Sequence, residues 1–352
     1  MKPKVFIEIL PRLETCYVFI KSEKKMKHLS LKDTTIHLIY MDETEDTIQV
    51  DFVILKPDTI SSLEVYDSVI NFRVQLDKII SSKFSTSLAG LSDNFKFKPF
   101  FKENYPISIK CRCCDHEIFP TLSFRRVLPL PSGVLDKSEF FCHDHSDSVT
   151  KASLSPSAED CFYGNFYILL QPTNANSLNI LHCERCLSWL GTFSNKILKL
   201  WDCSTVLSDE KQFETLEIAY RQFRQTISYV ASTSFFGSIK IVVESRVEEN
   251  ETNYLLLWIV DNDLACFVNA EIDDGKPVSL MQKCVSKVLY LFQGQKTTMV
   301  ESWMKNINVT TIDVAKQMLL SALSNLNAIN KMLPPQSRQT NNMYLSYLDP
   351  IL

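Results

Sequence analysis

Two short motifs carry the clearest chemistry in the chain: Cys111-Arg-Cys-Cys114 and Cys183-Glu-Arg-Cys186. Each is C-x-x-C, a spacing that lets two sulfurs from one tight turn reach the same tetrahedral ion, with Zn–S near ~2.3 Å. Two such turns complete a four-thiolate site. Sixty-eight residues separate Cys114 from Cys183. One Zn2+ held by Cys111, Cys114, Cys183 and Cys186 would therefore clip together two strand-turn elements distant in sequence. Such a site is closed and structural, with no open position for substrate. A redox dithiol is the rival reading of either pair, but it should open a helix after a strand, which neither motif clearly does. Unmetallated buried thiols are a third reading. The first motif is crowded, and Cys113 or His116 could replace one of its ligands.

The surrounding composition favours metal. The 76 residues from Cys111 to Cys186 hold seven of the eleven cysteines and four of the six histidines. The opening Met1-Lys-Pro-Lys-Val-Phe-Ile-Glu lacks the apolar run of a secretory signal, so the expected compartment is intracellular, where thiols stay reduced and disulfides do not account for the cysteines. Inside the same segment, Cys142-His143-Asp-His145-Ser-Asp147 needs separate weighing. Its H-x-H-x-D resembles the metal motif of metallo-β-lactamase-type hydrolases, but Ser148 stands where their next histidine falls, and the motif runs into a serine-rich loop. A thiol beside an imidazole is also a candidate covalent nucleophile, which needs a lowered pKa and an accessible sulfur. Adjacent strand residues point to opposite faces, so Cys142 and His143 would not naturally hydrogen-bond each other. A buried Cys142 packed behind Phe140 and Phe141 is the plainer reading.

Several function classes are excluded by what is missing. Glycine numbers 7 in 352 residues, widely scattered. Neither G-x-G-x-x-G nor a P-loop can be written, and G-x-S-x-G and H-E-x-x-H are absent. Net charge is −4, which gives no global footprint for nucleic acid. Residues 83–126 lean basic, with eight Lys/Arg against four acids and Phe95, Phe97, Phe100, Phe101 and Tyr105 interleaved. Alternating strand residues explain that window better than an RNA surface, so RNA is not an expected partner. No apolar run approaches ~18 residues, so no membrane partner is expected either.

The elements that must position the cysteines are mostly strands. Segments 5–10, 16–20, 35–40, 47–55 and 69–76 are short, rich in β-branched and aromatic residues, and separated by polar turns. Leu128-Pro-Leu-Pro131 must run extended because each proline fixes φ and restrains its predecessor. Beyond Trp201, Phe213, Leu216, Tyr220, Phe223, Ile227 and Val230 recur at helical spacing, with Ser208-Asp-Glu210 as the helix start. Strands are expected near 239–244, 254–260, 265–270 and 285–292. A second helix is expected with Thr311 as cap, an apolar stripe from Met318 to Leu333, and Pro334-Pro335 as its stop. The expected fold class is α+β, predominantly antiparallel β, with β-rich lobes around a zinc-knuckle module and two amphipathic helices in the C-terminal part. The expected regions are 1–105 (β-rich), 106–205 (cysteine-rich, zinc-binding) and 206–352 (α+β).

Both knuckles resemble halves of two-knuckle β-tent zinc modules, the second through its following Leu190-Gly191. Cys111-x-x-Cys114, Val127-Leu-Pro-Leu-Pro-Ser132, Phe141-Cys142-His143 and Cys183-x-x-Cys186 together resemble the HECT-like proteins that bind ubiquitin-conjugating enzymes. The likeness extends weakly through 287–290, 330–334 and 344–348. It is nearest in style to the fungal branch, tied to pre-mRNA 3′-end processing through the cleavage endonuclease. The chain departs from the family at 133–139, where members usually carry a tryptophan and acids between the proline motif and Cys-His. The resemblance implies a zinc-stabilised interaction protein of the nucleus and cytoplasm whose partner is the endonuclease subunit of the cleavage and polyadenylation machinery. The alternative it implies is a ubiquitin ligase that binds a conjugating enzyme and accepts ubiquitin on a cysteine, with Cys142 the candidate by motif position. No catalytic constellation is evident in the sequence itself.

Overall fold

The apolar run Tyr254–Val260 lies within Glu251–Asn269, a 19-residue strand at the centre of the fold. The computed structural model that shows this describes residues 2–66, 69–80, 102–130, 156–172, 179–207, 215–233, 239–270 and 276–348. The run is continuous because the strand is covered on both faces, a situation that removes the usual alternation. Leu255, Leu257 and Ile259 face one core with the helices Thr215–Thr233 (α1) and Lys316–Met332 (α3), while Tyr254 and Leu256 face Val300 and Trp303 of the short helix Thr298–Met304 (α2).

Among the described residues the chain is α+β and mostly antiparallel β, with sheets of eleven, six, three and three strands and three α-helices. The eleven-stranded sheet takes strands from both ends of the chain. Its 19-residue strand pairs first with Ile239–Glu248 (Ile239 opposite Ile259) and further on with Lys4–Leu10 (Phe6 opposite Val268). Register shifts around Asp261, of the kind a β-bulge makes, mark the change of partner. Strands expected separately at 254–260 and 265–270 are therefore one. Glu8 is buried where the ends meet, accepting hydrogen bonds from Lys287 Nζ (2.9 Å) and the Tyr347 hydroxyl (2.6 Å).

Three further expectations are corrected. Thr311 caps no helix: Val309–Asp313 is a strand parallel to Ile239–Glu248, and Ala315 precedes α3. Its run of β-branched Val309, Thr310, Thr311 and Ile312 favours the extended form over a cap. The expected strand at 47–55 breaks into Glu45–Gln49 and Val53–Leu55, because Val53 N–H turns back to the Val50 carbonyl (3.3 Å). Burial then passes from Ile48 and Val50 to Val53 and Leu55. The helix α2 goes beyond the two expected; Thr297 Oγ1 caps it by accepting from Val300 N–H (3.4 Å). The helix start at 208–210 and Phe213 lie outside the described residues. Among the described residues no helix is long and apolar enough to cross a membrane.

The cysteine-bearing part comprises two of the smaller sheets. One joins Glu117–Leu122, Ile107–Cys111 and Thr205–Leu207 in that order. The other runs Arg126–Pro129, Asp160–Gly164, Tyr167–Leu170, Ile197–Trp201, Trp189–Ser194, Ile180–His182. The first part of the proline-rich segment is extended there, within Arg126–Pro129 on a sheet edge where a missing N–H is tolerated, and Pro131 lies outside the described residues. Its side chains share one core, Ile109, Phe124, Ile168, Leu190, Leu198 and Leu200 among them, and Trp189, Trp201 and Phe166 pack against the cluster of α1 and α3.

Candidate metal centre

The two C-x-x-C turns fold into the same local structure. In the first, Cys111 N–H donates to the His116 carbonyl (2.8 Å) and Asp115 N–H to the Cys111 carbonyl (2.8 Å). In the second, Cys183 N–H donates to the Ser188 carbonyl (2.9 Å) and Leu187 N–H to the Cys183 carbonyl (2.9 Å). The fifth residue of each turn is left-handed, Asp115 at φ 58 and Leu187 at φ 59. The second sulfur of each receives a backbone N–H from two residues on, His116 to Cys114 and Ser188 to Cys186. Each turn is a knuckle that stops the strand before it and aims two sulfurs to one side.

Packing of the two small sheets over one shared core then brings the knuckles face to face. Cys111 ends Ile107–Cys111, opposite Thr205. Cys183 follows Ile180–His182, which pairs with Trp189–Ser194 across Leu181–Gly191. Gly191 is required there: a Cβ would lie 2.1 Å from the Lys199 carbonyl oxygen on the next strand. The Leu-Gly of the motif thus serves close strand packing beneath the second knuckle.

Cys111 Sγ lies 3.6 Å from Cys186 Sγ, Cys114 Sγ 3.6 Å from Cys183 Sγ, and all four sulfurs fall within 4.8 Å of one another. A tetrahedral ion with metal–sulfur bonds of ~2.3 Å needs sulfur separations of about 3.8 Å. The four cysteines fit that requirement and can hold one metal ion. Cys111 and Cys183 are buried and Cys114 and Cys186 are half-buried, as in a closed site. Burial raises the thiol pKa of Cys111 and Cys114. Cys186 is lowered to about 6, chiefly by the Ser188 hydroxyl 3.2 Å from its sulfur. A bound cation would favour thiolate at all four positions.

Cys113 and His116 do not join this cluster: Cys113 is exposed, and His116 contributes its backbone. Cys16, Cys161 and Cys203 are buried elsewhere, their thiols pushed up to about 12 by desolvation, so none resembles an activated nucleophile. Cys142, His143 and His145 lie outside the described residues.

Sequence reading missed the groups that anchor the first knuckle. Arg112 is buried, its Nε donating to the Asp202 carbonyl (3.0 Å) and its Nη2 to the Thr205 carbonyl (2.9 Å). Its guanidinium also lies 3.7 Å from the Asp202 carboxylate, which accepts a hydrogen bond from Gln222 of α1. Burial raises the Asp202 pKa despite that cation. On the second knuckle's side, Gln317 of α3 donates to the Trp189 carbonyl (2.6 Å). Arg185 reaches across to the Cys114 carbonyl (3.4 Å).

The family described as HECT-like ubiquitin-conjugating enzyme (E2)-binding matches residues 8–345. The chain is 24% identical over 265 residues to a mouse protein named as an E3 ubiquitin-protein ligase, covering 68% of this chain and 70% of that one. It is 24% identical over 287 residues to the human ligase of the same name (68% and 71%) and 25% identical over 285 residues to the bovine one (68% and 71%). No solved structure matches it significantly. The match runs from the first strand of the central sheet to the last and takes in both knuckles, and the chain belongs to the HECT-like ubiquitin-conjugating enzyme (E2)-binding family.

Proposed function

We propose that this protein is a binding platform for a ubiquitin-conjugating enzyme, stabilised by one structural Zn2+, and that it serves pre-mRNA 3′-end cleavage and polyadenylation by holding the endonuclease subunit in the nucleus and cytoplasm. The observation that carries the platform reading is the cysteine cluster within the E2-binding family match: four sulfurs from two sheets lie within 4.8 Å of one another, and an ion bound by all four would have no open position. Zinc is the ion of choice for four thiolates in this geometry. The 3′-end role rests on the motif likeness to the family's fungal branch. Two experiments test the two layers. Purified full-length chain should capture at least one member of a panel of ubiquitin-conjugating enzymes; capture of none removes the platform reading. Depletion of the protein should lower endonuclease levels and poly(A)-site cleavage; normal values for both remove the processing role.

The names of the relatives favour a second reading, ligase activity through a ubiquitin thioester. The transfer exchanges one thioester for another, with the conjugating enzyme's cysteine leaving as thiolate. Incubation with charged conjugating enzyme should then give a reducible ubiquitin adduct that disappears in Cys142→Ser, and absence of any adduct excludes it.

A further inference from the structure

The fifth knuckle position provides an internal control. Both knuckles need a left-handed residue there, and the first uses Asp115, a residue type that visits this conformation readily. The second uses Leu187, which gains nothing from the conformation and leaves its side chain 74% exposed. A bulky apolar residue in that backbone region is an outlier, and such outliers persist where the surroundings enforce them, often at binding sites. Here the surroundings are the cysteine knuckle, whose hydrogen bonds from Leu187 N–H to the Cys183 carbonyl and from Cys183 N–H to the Ser188 carbonyl (2.9 Å each) hold the leucine at a fixed place. Ile307 is exposed at 95% but has no positive φ, so it lacks this second feature.

Charged residues of both knuckles lie exposed beside the cluster. Glu184 and Arg185 of the same turn are exposed, and Arg185 is steered across the cluster by the Cys114 carbonyl. Asp115 of the facing knuckle is exposed and lies 3.9 Å from Lys110. An exposed apolar anchor flanked by charged residues of its own turn, on a pre-organised scaffold, is the anatomy of a protein-binding hot spot.

We propose that Leu187, with Arg185 beside it, is the anchor by which the chain grips a ubiquitin-conjugating enzyme, the leucine entering an apolar socket and the guanidinium meeting a carboxylate at its edge. This rests on the platform reading above.

The test measures binding of full-length wild type, Leu187→Asn, Leu187→Met and Arg185→Ala to a panel of purified ubiquitin-conjugating enzymes, alongside melting temperature and metal content. Leu187→Asn should weaken binding at least tenfold while the melting temperature holds or rises, because asparagine suits the left-handed backbone. Leu187→Met should keep binding within about threefold, and Arg185→Ala should weaken it by a smaller factor than Leu187→Asn. Unchanged affinity in Leu187→Asn overturns the assignment while leaving the platform reading intact. Lost binding accompanied by lost metal or a lower melting temperature also overturns it, since the leucine would then be structural. A wild type that binds no member of the panel overturns the platform reading and this anchor with it.

Discussion

The two knuckles share a backbone and a pair of cysteines and differ in the other side chains they carry. Hydrogen bonds from the fifth residue to the first and from the first to the sixth are the same in both, within 0.1 Å. At the second position, however, the first knuckle buries Arg112 against the 202–205 turn while the second exposes Glu184. At the fifth, the first shows Asp115 and the second Leu187. The backbone and sulfurs therefore suffice to hold one ion, and the remaining positions are free for other tasks: fastening the module to α1 through Arg112, Asp202 and Gln222, or presenting a side chain outward.

If the sulfurs are equivalent, breaking either knuckle should have the same large effect. Cys111→Ser and Cys183→Ser are each expected to lose the metal and to unfold the 106–205 region, since structural zinc contributes apparent binding energies of about 10–16 kcal/mol in small domains. Metal analysis and circular dichroism check this; loss confined to one knuckle's variants would break the equivalence. Arg112→Met should cost about 3 kcal/mol in urea unfolding by leaving its buried partners unsatisfied. Glu184→Ala, at the matching exposed position, should stay within about 0.5 kcal/mol. The fifth position predicts opposite signs: Leu187→Asn should stabilise and Asp115→Leu destabilise, each by about 1 kcal/mol in thermal melts.

The smallest effect lies outside both knuckles. Asp160 is buried, and hydrogen bonds from Arg126 (2.7 and 2.6 Å) and from the Ser157 hydroxyl (2.7 Å) hold its carboxyl well below the usual range. A folded pKa below the unfolded value near ~3.9 contributes stability above that pH and loses it as the pH falls through the lowered value. Arg126 is largely exposed, so solvent screening keeps the contribution modest. Unfolding of Asp160→Asn between pH 5 and 2 should show a shallower acid dependence than wild type, and identical slopes would remove Asp160 from the account.

Spacing made the four sulfurs and the stripe of α3 legible, because a C-x-x-C turn and a 3.6-residue period are local properties. The partners of Arg112 were not legible, since Asp202 and Thr205 lie about ninety residues away and meet it only through strand pairing. Residues 261–264 read as a gap between strands because bulges leave no compositional mark distinct from a turn. Asp115 and Leu187 both directly follow their C-x-x-C in sequence, but the left-handed backbone they share appears only when the two turns are compared as structure.

A single closed clamp made from both knuckles requires one ion shared by all four sulfurs, so the decisive measurement is the metal content of the purified full-length chain. One zinc per chain is expected by elemental analysis, removed by a strong chelator together with a large fall in melting temperature, and absent from both Cys114→Ser and Cys186→Ser. A purified chain without zinc, or variants that retain a full equivalent, would contradict it.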